Sequence, residues 1–274
     1  MSQAKTIDID KVLQSKLGSR ARWVPSFLVR YLKRIVHQDW LNAFIRQEGS
    51  VVGVQWLKDC MRYVNLNIRV EGMEHLPSDA DGSRFTFVAN HPLGGADGVI
   101  IGAVLGEHYE GRIRLLVNDL LMHLEGLAPL CIAVNKTGRQ DRHLPRRIDE
   151  AFRSDNHMFI FPAGVCSREI DGHIQDLPWS KTFITKSIET HRDVIPIHFE
   201  GRNSAWFYRL ANWSKHLGLK FNLAMLYLAD ELYKHQGSHF TLKIGKPIPW
   251  QNFTAERSPS EWAAVVREEV YKLK

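Results

Sequence analysis

From Leu66 onward, short runs of β-branched, aliphatic and aromatic residues alternate with segments of helical pattern, and that alternation leaves few architectures open. The strand candidates are residues 68–71, 85–90, 113–117, 130–134, 158–161, 194–199 and 240–244. Helical patterns at 99–105, 145–153, 181–190 and 221–233 fall between them. Strands joined through helices pair in parallel, because each crossover returns the chain to the same end of the sheet. The expectation is an α/β domain with a mixed, largely parallel sheet flanked by helices. Near the end, Ser258, Pro259, Ser260 and Glu261 precede Trp262, Val265, Val266 and Leu273, a capping box that opens an amphipathic helix.

Residues 1–75 have a helical texture instead. Trp23, Val24, Phe27, Leu28, Tyr31, Leu32, Ile35 and Val36 recur at three- and four-residue spacing, with Pro25 in the first turn of the helix they define. Around them lie Lys11, Lys16, Arg20, Arg22, Arg30, Lys33, Arg34 and Arg46, against Asp39 and Glu48. Such a helix suits an anionic lipid interface, or equally a surface packed on its own domain, and the stripe alone does not separate the two. A second apolar helix over 51–63 puts Trp56 and Leu57 on its buried side. With no repeat, low-complexity tract or linker, two segments are expected: a helical 1–75, a candidate membrane-surface anchor, and an α/β domain at 76–274 ending in the C-terminal helix.

The chain of 274 residues is 44% hydrophobic, enough for a full core, and its net charge of +6 points to anionic partners. The cations are not interleaved with a nucleic-acid reading module, so no nucleic acid is expected. Cys60, Cys131 and Cys166 are odd in number and far apart, which fits a reducing compartment rather than a disulfide framework. The opening MSQAKTIDIDK has no secretory apolar core, and no apolar run approaches the about 18–20 residues that cross a bilayer. The expected location is cytoplasmic, peripheral on the cytoplasmic face of a membrane. The 13 histidines are scattered, and no metal site is expected.

Chemistry concentrates at three strand ends. Residues 85–98 read FTFVANHPLGGADG: an alternating strand stops at His91, Pro92 ends it, Gly94 and Gly95 allow a tight turn, and Asp97 falls in the first turn of a helix. His91 and Asp97 then face each other at the carboxyl end of a strand, where open α/β sheets place ligands. An imidazole steered by a carboxylate is a general-base pair, although a histidine before proline also serves as a plain turn residue and an acid there as a plain cap. The second stretch, MFIFPAGVCSRE at 158–169, runs from a strand into Pro162 and Gly164 and ends in Ser167, Arg168 and Glu169. Arg168 could grip a phosphate or carboxylate bidentately. Cys166 beside it is better read as structural than as a nucleophile, since nothing near it in sequence lowers a thiol pKa. The third, 194–203, ends in Gly201, Arg202 and Asn203, and Lys181 and Lys186 add charge from the helix between.

Asn90-His91-Pro92 with Asp97, then Phe161-Pro162-x-Gly164, then Val194-Ile195-Pro196, in that order, resemble the lysophosphatidic-acid and glycerophosphate acyltransferase superfamily. The match is closer to a bacterial, hemolysin-like branch that has Asn-His-Pro-x-Gly-x-x-Asp-Gly and Phe-Pro-Ala-Gly-x-x-Ser-Arg, with relatives in ornithine- and glycine-lipid synthesis. It covers roughly residues 70–250, and the N-terminal helices are similar too. The resemblance implies a glycerolipid-acyltransferase-like fold, His91 and Asp97 as the catalytic pair, and acceptor binding by the segment that holds Phe161, Pro162 and Gly164. Asn90, Ser167 and Arg168 belong to the same motifs. Two departures stand out: five residues rather than four separate His91 from Asp97, and Ala163 replaces the main family's glutamate while the arginine moves two places on, to Arg168.

The expected reaction transfers an acyl group from a thioester, acyl carrier protein or coenzyme A, to a hydroxyl or amine of a lysolipid, with no tightly bound cofactor. His91 takes the acceptor's proton, Asp97 holds the tautomer, and backbone N–H groups of the Gly94–Gly95 turn or the following helix start serve the oxyanion. Arg168, with Lys181 or Arg202, receives an anionic headgroup. Two rivals use the same residues: a thioesterase or lysophospholipase, in which water replaces the acceptor, and a non-catalytic membrane-surface lipid-binding protein.

Overall fold

The structure, a computed structural model, describes residues 6–118, 121, 124–134, 143–218 and 223–274. The chain opens with α1 (Ile9–Leu17), α2 (Ser26–Ile35), α3 (Gln38–Glu48) and α4 (Val54–Val64). The sheet region follows with β1 (Asn67–Glu71), β2 (Phe85–Ala89), α5 (Ala96–His108), β3 (Ile113–Asn118), β4 (Cys131–Val134), α6 (Leu144–Phe152) and β5 (His157–Ile160). A small hairpin, β6 (Arg168–Ile170) and β7 (His173–Gln175), leads to α7 (Thr182–Glu189) and β8 (Asp193–Glu200). The chain closes with α8 (Ala205–His216), α9 (Leu228–Lys234), β9 (His239–Ile244) and α10 (Pro259–Lys272).

Each strand expected from the alternation is present. They form one seven-stranded sheet in the order β1-β9-β8-β2-β5-β3-β4. Every neighbouring pair is parallel except β8 with β9. The sheet is therefore mixed and largely parallel. β8, β2 and β5 are consecutive and parallel, so the three strand ends singled out in sequence emerge side by side.

Alternation along β2 divides the core. Phe85, Phe87 and Ala89 join Trp56, Leu57, Ile100, Ile101 and Leu105 in the cluster under α4 and α5. Val88 points the other way, to Phe183, Ile184, Val266 and Val270 on α7 and α10. Thr86, on that second face, is satisfied by the Ser187 hydroxyl at 2.8 Å. Both faces are covered, which is why the strand is buried throughout and apolar but for Thr86. The capping box at Ser258 and Glu261 is formed at the start of α10.

The structure refines the N-terminal reading. Pro25 stands at the N-cap of α2, just before its first turn, and His37 adopts a left-handed φ of 49° that breaks the run between α2 and α3. The apolar stripe is divided: Trp23, 75% exposed, and Phe27, 65%, point outward with Leu28 and Tyr31, while Ile35 is buried and Val24, Leu32 and Val36 are half-buried. The pattern at 221–233 resolves into a 3-10 turn, Leu223–Tyr227, and α9; Phe221 lies outside the described residues. No described helix is long and apolar enough to cross a membrane.

Candidate active site

β2 ends in a side chain that imitates a backbone. Asn90 donates from Nδ2 to the Phe199 carbonyl at 3.0 Å, and its Oδ1 accepts from the Phe199 N–H at 2.7 Å. Both functions of the amide are therefore spent on β8, which makes Asn90 a positioning residue. The next residue, His91, leaves the sheet, and Pro92 prevents its return. The turn that follows is fastened from two sides. Leu93 and Gly94 donate their backbone N–H groups to Asp97 Oδ2 at 2.9 and 3.3 Å. From the β8 loop, Asn203 Nδ2 donates to the carbonyls of Pro92 and Leu93 at 3.3 and 3.2 Å. Gly94 has a φ of +78°, and a Cβ there would lie 2.1 Å from Cys166 Sγ. Only glycine fits. Gly95, at the N-cap of α5, has an extended φ of −161° and open space where a Cβ would be.

This turn brings the pair together despite its extra residue. His91 Nδ1 lies 3.0 Å from Asp97 Oδ2. Asp97 is fully buried and also accepts from the Gly98 N–H on Oδ1 at 2.9 Å. Burial alone would raise its pKa, but the charge and hydrogen bond of His91 and the N–H groups of Leu93 and Gly98 hold it below the usual carboxylate range. An ionised carboxylate on Nδ1 fixes the proton there and leaves Nε2 as the basic nitrogen. No described residue bonds to Nε2, and the His91 side chain keeps 16% of its surface exposed. Phe161 stacks on the imidazole, ring centroids 3.8 Å apart and planes 22° from parallel. One face of the ring is thus covered by Phe161.

Behind His91 sits a residue that sequence reading missed, Asp176. It is 2% exposed and accepts from the His91 N–H at 3.2 Å, the Ser167 hydroxyl at 2.6 Å and Trp179 Nε1 at 2.9 Å. Its own N–H donates to the Tyr271 hydroxyl at 2.8 Å. Burial pushes the Asp176 carboxyl up, against the pull of Ser167, Trp179 and the His91 N–H. Ser167 is fastened twice, since its N–H also donates to the His91 carbonyl at 2.8 Å. The turn after β5 is thus stitched to the turn after β2. Gly164, with a φ of 70°, donates to the Phe161 carbonyl at 2.9 Å, and the Pro162 carbonyl accepts from Ser180 N–H at 3.0 Å.

The remaining site candidates stand around this centre in different ways. Arg168 opens β6, half-buried, with Nη1 donating to the Cys166 and Ser167 carbonyls at 2.7 and 3.3 Å. No described residue accepts from its Nε or Nη2. Lys181 is exposed before α7, and Arg202 is exposed after β8; neither bonds to His91, Asp97 or Arg168. Lys186 is spent on Asp149 and Glu189, at 3.0 and 2.6 Å. Cys166 is fully buried, and burial, then the charge of Asp97, pushes its thiol up to about 12, so it is no thiolate at neutral pH. Of the turn N–H groups, those of Leu93, Gly94 and Gly98 go to Asp97, while those of Gly95 and Ala96 have no acceptor among the described residues. Among the described residues no group of three or more His, Cys, Asp or Glu is arranged to hold a metal.

Chemically, the arrangement can act as an oriented base: an imidazole held by a carboxylate through Nδ1, beside unspent backbone donors and one partly free guanidinium. A family model described as Acyltransferase matches residues 11–274. A lyso-glycine lipid O-acyltransferase of Phocaeicola vulgatus is 56% identical over 267 residues, 97% of this chain and 95% of that protein. A protein of the same description from Bacteroides thetaiotaomicron is 52% identical over 267 residues, 97% of each. Among solved structures, the 1-acyl-sn-glycerophosphate (LPA) acyltransferase PlsC of Thermotoga maritima is 17% identical with a TM-score of 0.49, over 96% of this chain and 95% of that one.

Proposed function

The chain belongs to the acyltransferase family whose model spans residues 11–274, and on that premise we propose that it moves a fatty acyl group from a thioester to the hydroxyl of a lyso-glycine lipid. That it is an acyltransferase acting on a lysolipid follows from its family and from relatives more than half identical to it. The glycine-lipid acceptor is taken from what those relatives are called. Acyl carrier protein or coenzyme A carries the acyl group, and the reaction takes place at the cytoplasmic face of the membrane.

One observation carries the mechanism: His91 is held through Nδ1 by a buried, ionised Asp97, while Nε2 has no partner among the described residues and part of the side chain stays exposed. A lipid hydroxyl is a poor nucleophile at neutral pH. His91 Nε2 takes its proton as the oxygen attacks the thioester carbonyl, and Asp97 stabilises the imidazolium that results. Collapse of the tetrahedral adduct expels the thiolate, which takes the proton back from His91. No acyl-enzyme is needed, and the buried, protonated Cys166 offers no alternative nucleophile. The N–H groups of Gly95 and Ala96, unspent at the start of α5, are the donors for the oxyanion. A glycine headgroup presents a carboxylate, which suits the free edge of Arg168, with Lys181 and Arg202 adding positive charge nearby. The exposed part of the stripe, Trp23, Phe27 and Leu28, with Arg20, Arg22, Arg30 and Arg34 around it, favours an anionic membrane surface, while Ile35 packs on the domain itself.

His91→Ala tests this reading. Loss of a general base lowers kcat by about 10²–10⁴-fold, in an assay with labelled acyl carrier protein or acyl-coenzyme A and a lyso-glycine lipid. Retention of half the parental turnover in a folded variant would refute the assignment. Release of free fatty acid at the same rate with and without acceptor would make the protein a hydrolase instead.

A further inference from the structure

The membrane surface does not stop at the N-terminal helix. α8, whose sequence AWFYRLANWSKH gave no amphipathic signal, buries Phe207, Tyr208, Leu210 and Ala211 against the cluster that holds Cys166 and Leu228. Its other side leaves Trp206 39% and Trp213 61% exposed, with Leu217 just beyond the helix at 69%. Arg209 is exposed between the two tryptophans, three residues from one and four from the other, and no described acid pairs with it.

This face joins α2. The Tyr31 hydroxyl on α2 bonds the Tyr227 hydroxyl, the Tyr227 ring lies 6.3 Å from Trp206, and Trp206 lies 6.4 Å from Trp213. Phe27 and Trp23 lie one and two turns back along the α2 side from Tyr31. Two elements far apart in sequence, α2 and α8, thus share one exposed apolar tract, joined through Tyr227, 196 positions from Tyr31. A soluble surface does not leave four large aromatic side chains of this kind together without a partner.

Charge says what the partner is. Residues 18–36 and 201–218 together hold eight of the 36 Lys and Arg residues and none of the 30 Asp and Glu residues, so the rest of the chain is net acidic. Aromatic side chains with a mainly basic border, in which Lys33 is paired with Asp10 of α1, match an anionic lipid surface, where indole rings sit at headgroup depth. The tract also adjoins the site. Leu228, in the cluster beneath α8, is 2.8 Å from where a Gly94 Cβ would be. We propose that α8, through Trp206, Trp213 and Leu217, is the second half of a two-part membrane-docking surface. It seats the protein on an anionic bilayer with the His91 turn beside the lipid. This rests on the membrane reading of α2 given above and extends it to an element far away in sequence.

The test uses the full chain and vesicles of phosphatidylglycerol and phosphatidylcholine, with pure phosphatidylcholine vesicles as the uncharged control. W213S/L217S alters only exposed side chains, so its melting temperature should equal the parent's. Its vesicle binding by co-sedimentation should fall at least tenfold, while turnover on a lysolipid kept below its micelle concentration is unchanged. W23S/F27S should lose binding to a similar degree, and the four-fold variant should not bind. If W23S/F27S loses binding and W213S/L217S does not, the α8 proposal is overturned while the α2 reading stands. If neither loses it, both fail. A change in oligomeric state without vesicles, or weakened binding of acyl carrier protein with vesicle binding intact, would assign the face to a protein partner and overturn the proposal.

Discussion

Replacing Gly94 by alanine puts the turn between β2 and α5 under a strain that can be worked out beforehand. The backbone at Gly94 has a φ of +78°, and an added Cβ would lie 2.1 Å from Cys166 Sγ and 2.8 Å from Leu228 Cδ2. Holding a non-glycine residue in the left-handed region costs about 1–2 kcal/mol. Forcing a methyl group into packed surroundings costs about a further 1–3 kcal/mol. Gly94→Ala should therefore destabilise the fold by roughly 2–5 kcal/mol. At about 2–4 °C per kcal/mol for a chain approaching this length, 3 kcal/mol lowers the melting temperature by roughly 6–12 °C. The turn must also shift away from Asp97, which receives the Leu93 and Gly94 N–H groups, so turnover of the folded variant falls as well. Thermal and urea unfolding measure the first effect. Cys166→Ala separates its parts: removing the sulfur relieves the clash but not the φ strain. The double variant should then be more stable than the sum of the single changes by about 1 kcal/mol or more. Strict additivity, or a Gly94→Ala protein that melts within 2 °C of the parent with full turnover, would refute the reasoning.

Three further outcomes follow. Asp176→Ala leaves the His91 N–H, Ser167 hydroxyl and Trp179 indole without their acceptor; a loss of about 3–5 kcal/mol is expected in urea titration, and an unchanged midpoint would deny Asp176 its central place. Arg168→Ala should raise the acceptor KM about 10-fold or more at nearly constant kcat, and an unaltered KM would remove Arg168 from headgroup binding. Stability should drop in acid. Burial lowers the pKa of His157 and of His198 to about 4, whereas in the unfolded chain both titrate near 6.5. Unfolded protein therefore binds more protons between those values, so their contribution is intact above about pH 6.5 and is lost as pH falls toward 4, by up to roughly 3 kcal/mol each. Asp79, held below its ordinary value against burial by His157 and Arg112, acts in the same direction, while the raised Asp176 opposes it. Equal urea midpoints at pH 7 and pH 4.5 would contradict this.

What could be read from sequence was local. The sheet strands stand out because each apolar run is bounded by polar or turn residues, and His91 with Asp97 is legible because six positions of chain contain the whole turn. The hairpin β6–β7 was missed although it carries a local signal. Asp171 and Gly172 form its two-residue turn with φ of 51° and 77°, the pattern that an Asp-Gly pair favours. α8 was missed because apolar residues lie all round it, one side against the core and the other exposed. Asp176 had no signal at all. Its partners His91 and Tyr271 are 85 and 95 residues away, and only folding brings them together. Asn203 was noted in the polar end of the third stretch, but its task was hidden, since it fastens a turn some 110 positions earlier in the chain.

Asn90 has a consequence for what can occupy that position. Its planar amide gives β8 one counterfeit rung beyond the last true one of β2, so the chain can peel off toward the His91 turn without stripping Phe199 of either polar mate. Aspartate, ionised, has no proton for the carbonyl; leucine has neither function; glutamine carries the same group one carbon too far out. A residue whose amide is wholly engaged with Phe199 is in this way confined to a single amino acid, by the need to end a strand cleanly in the middle of a sheet.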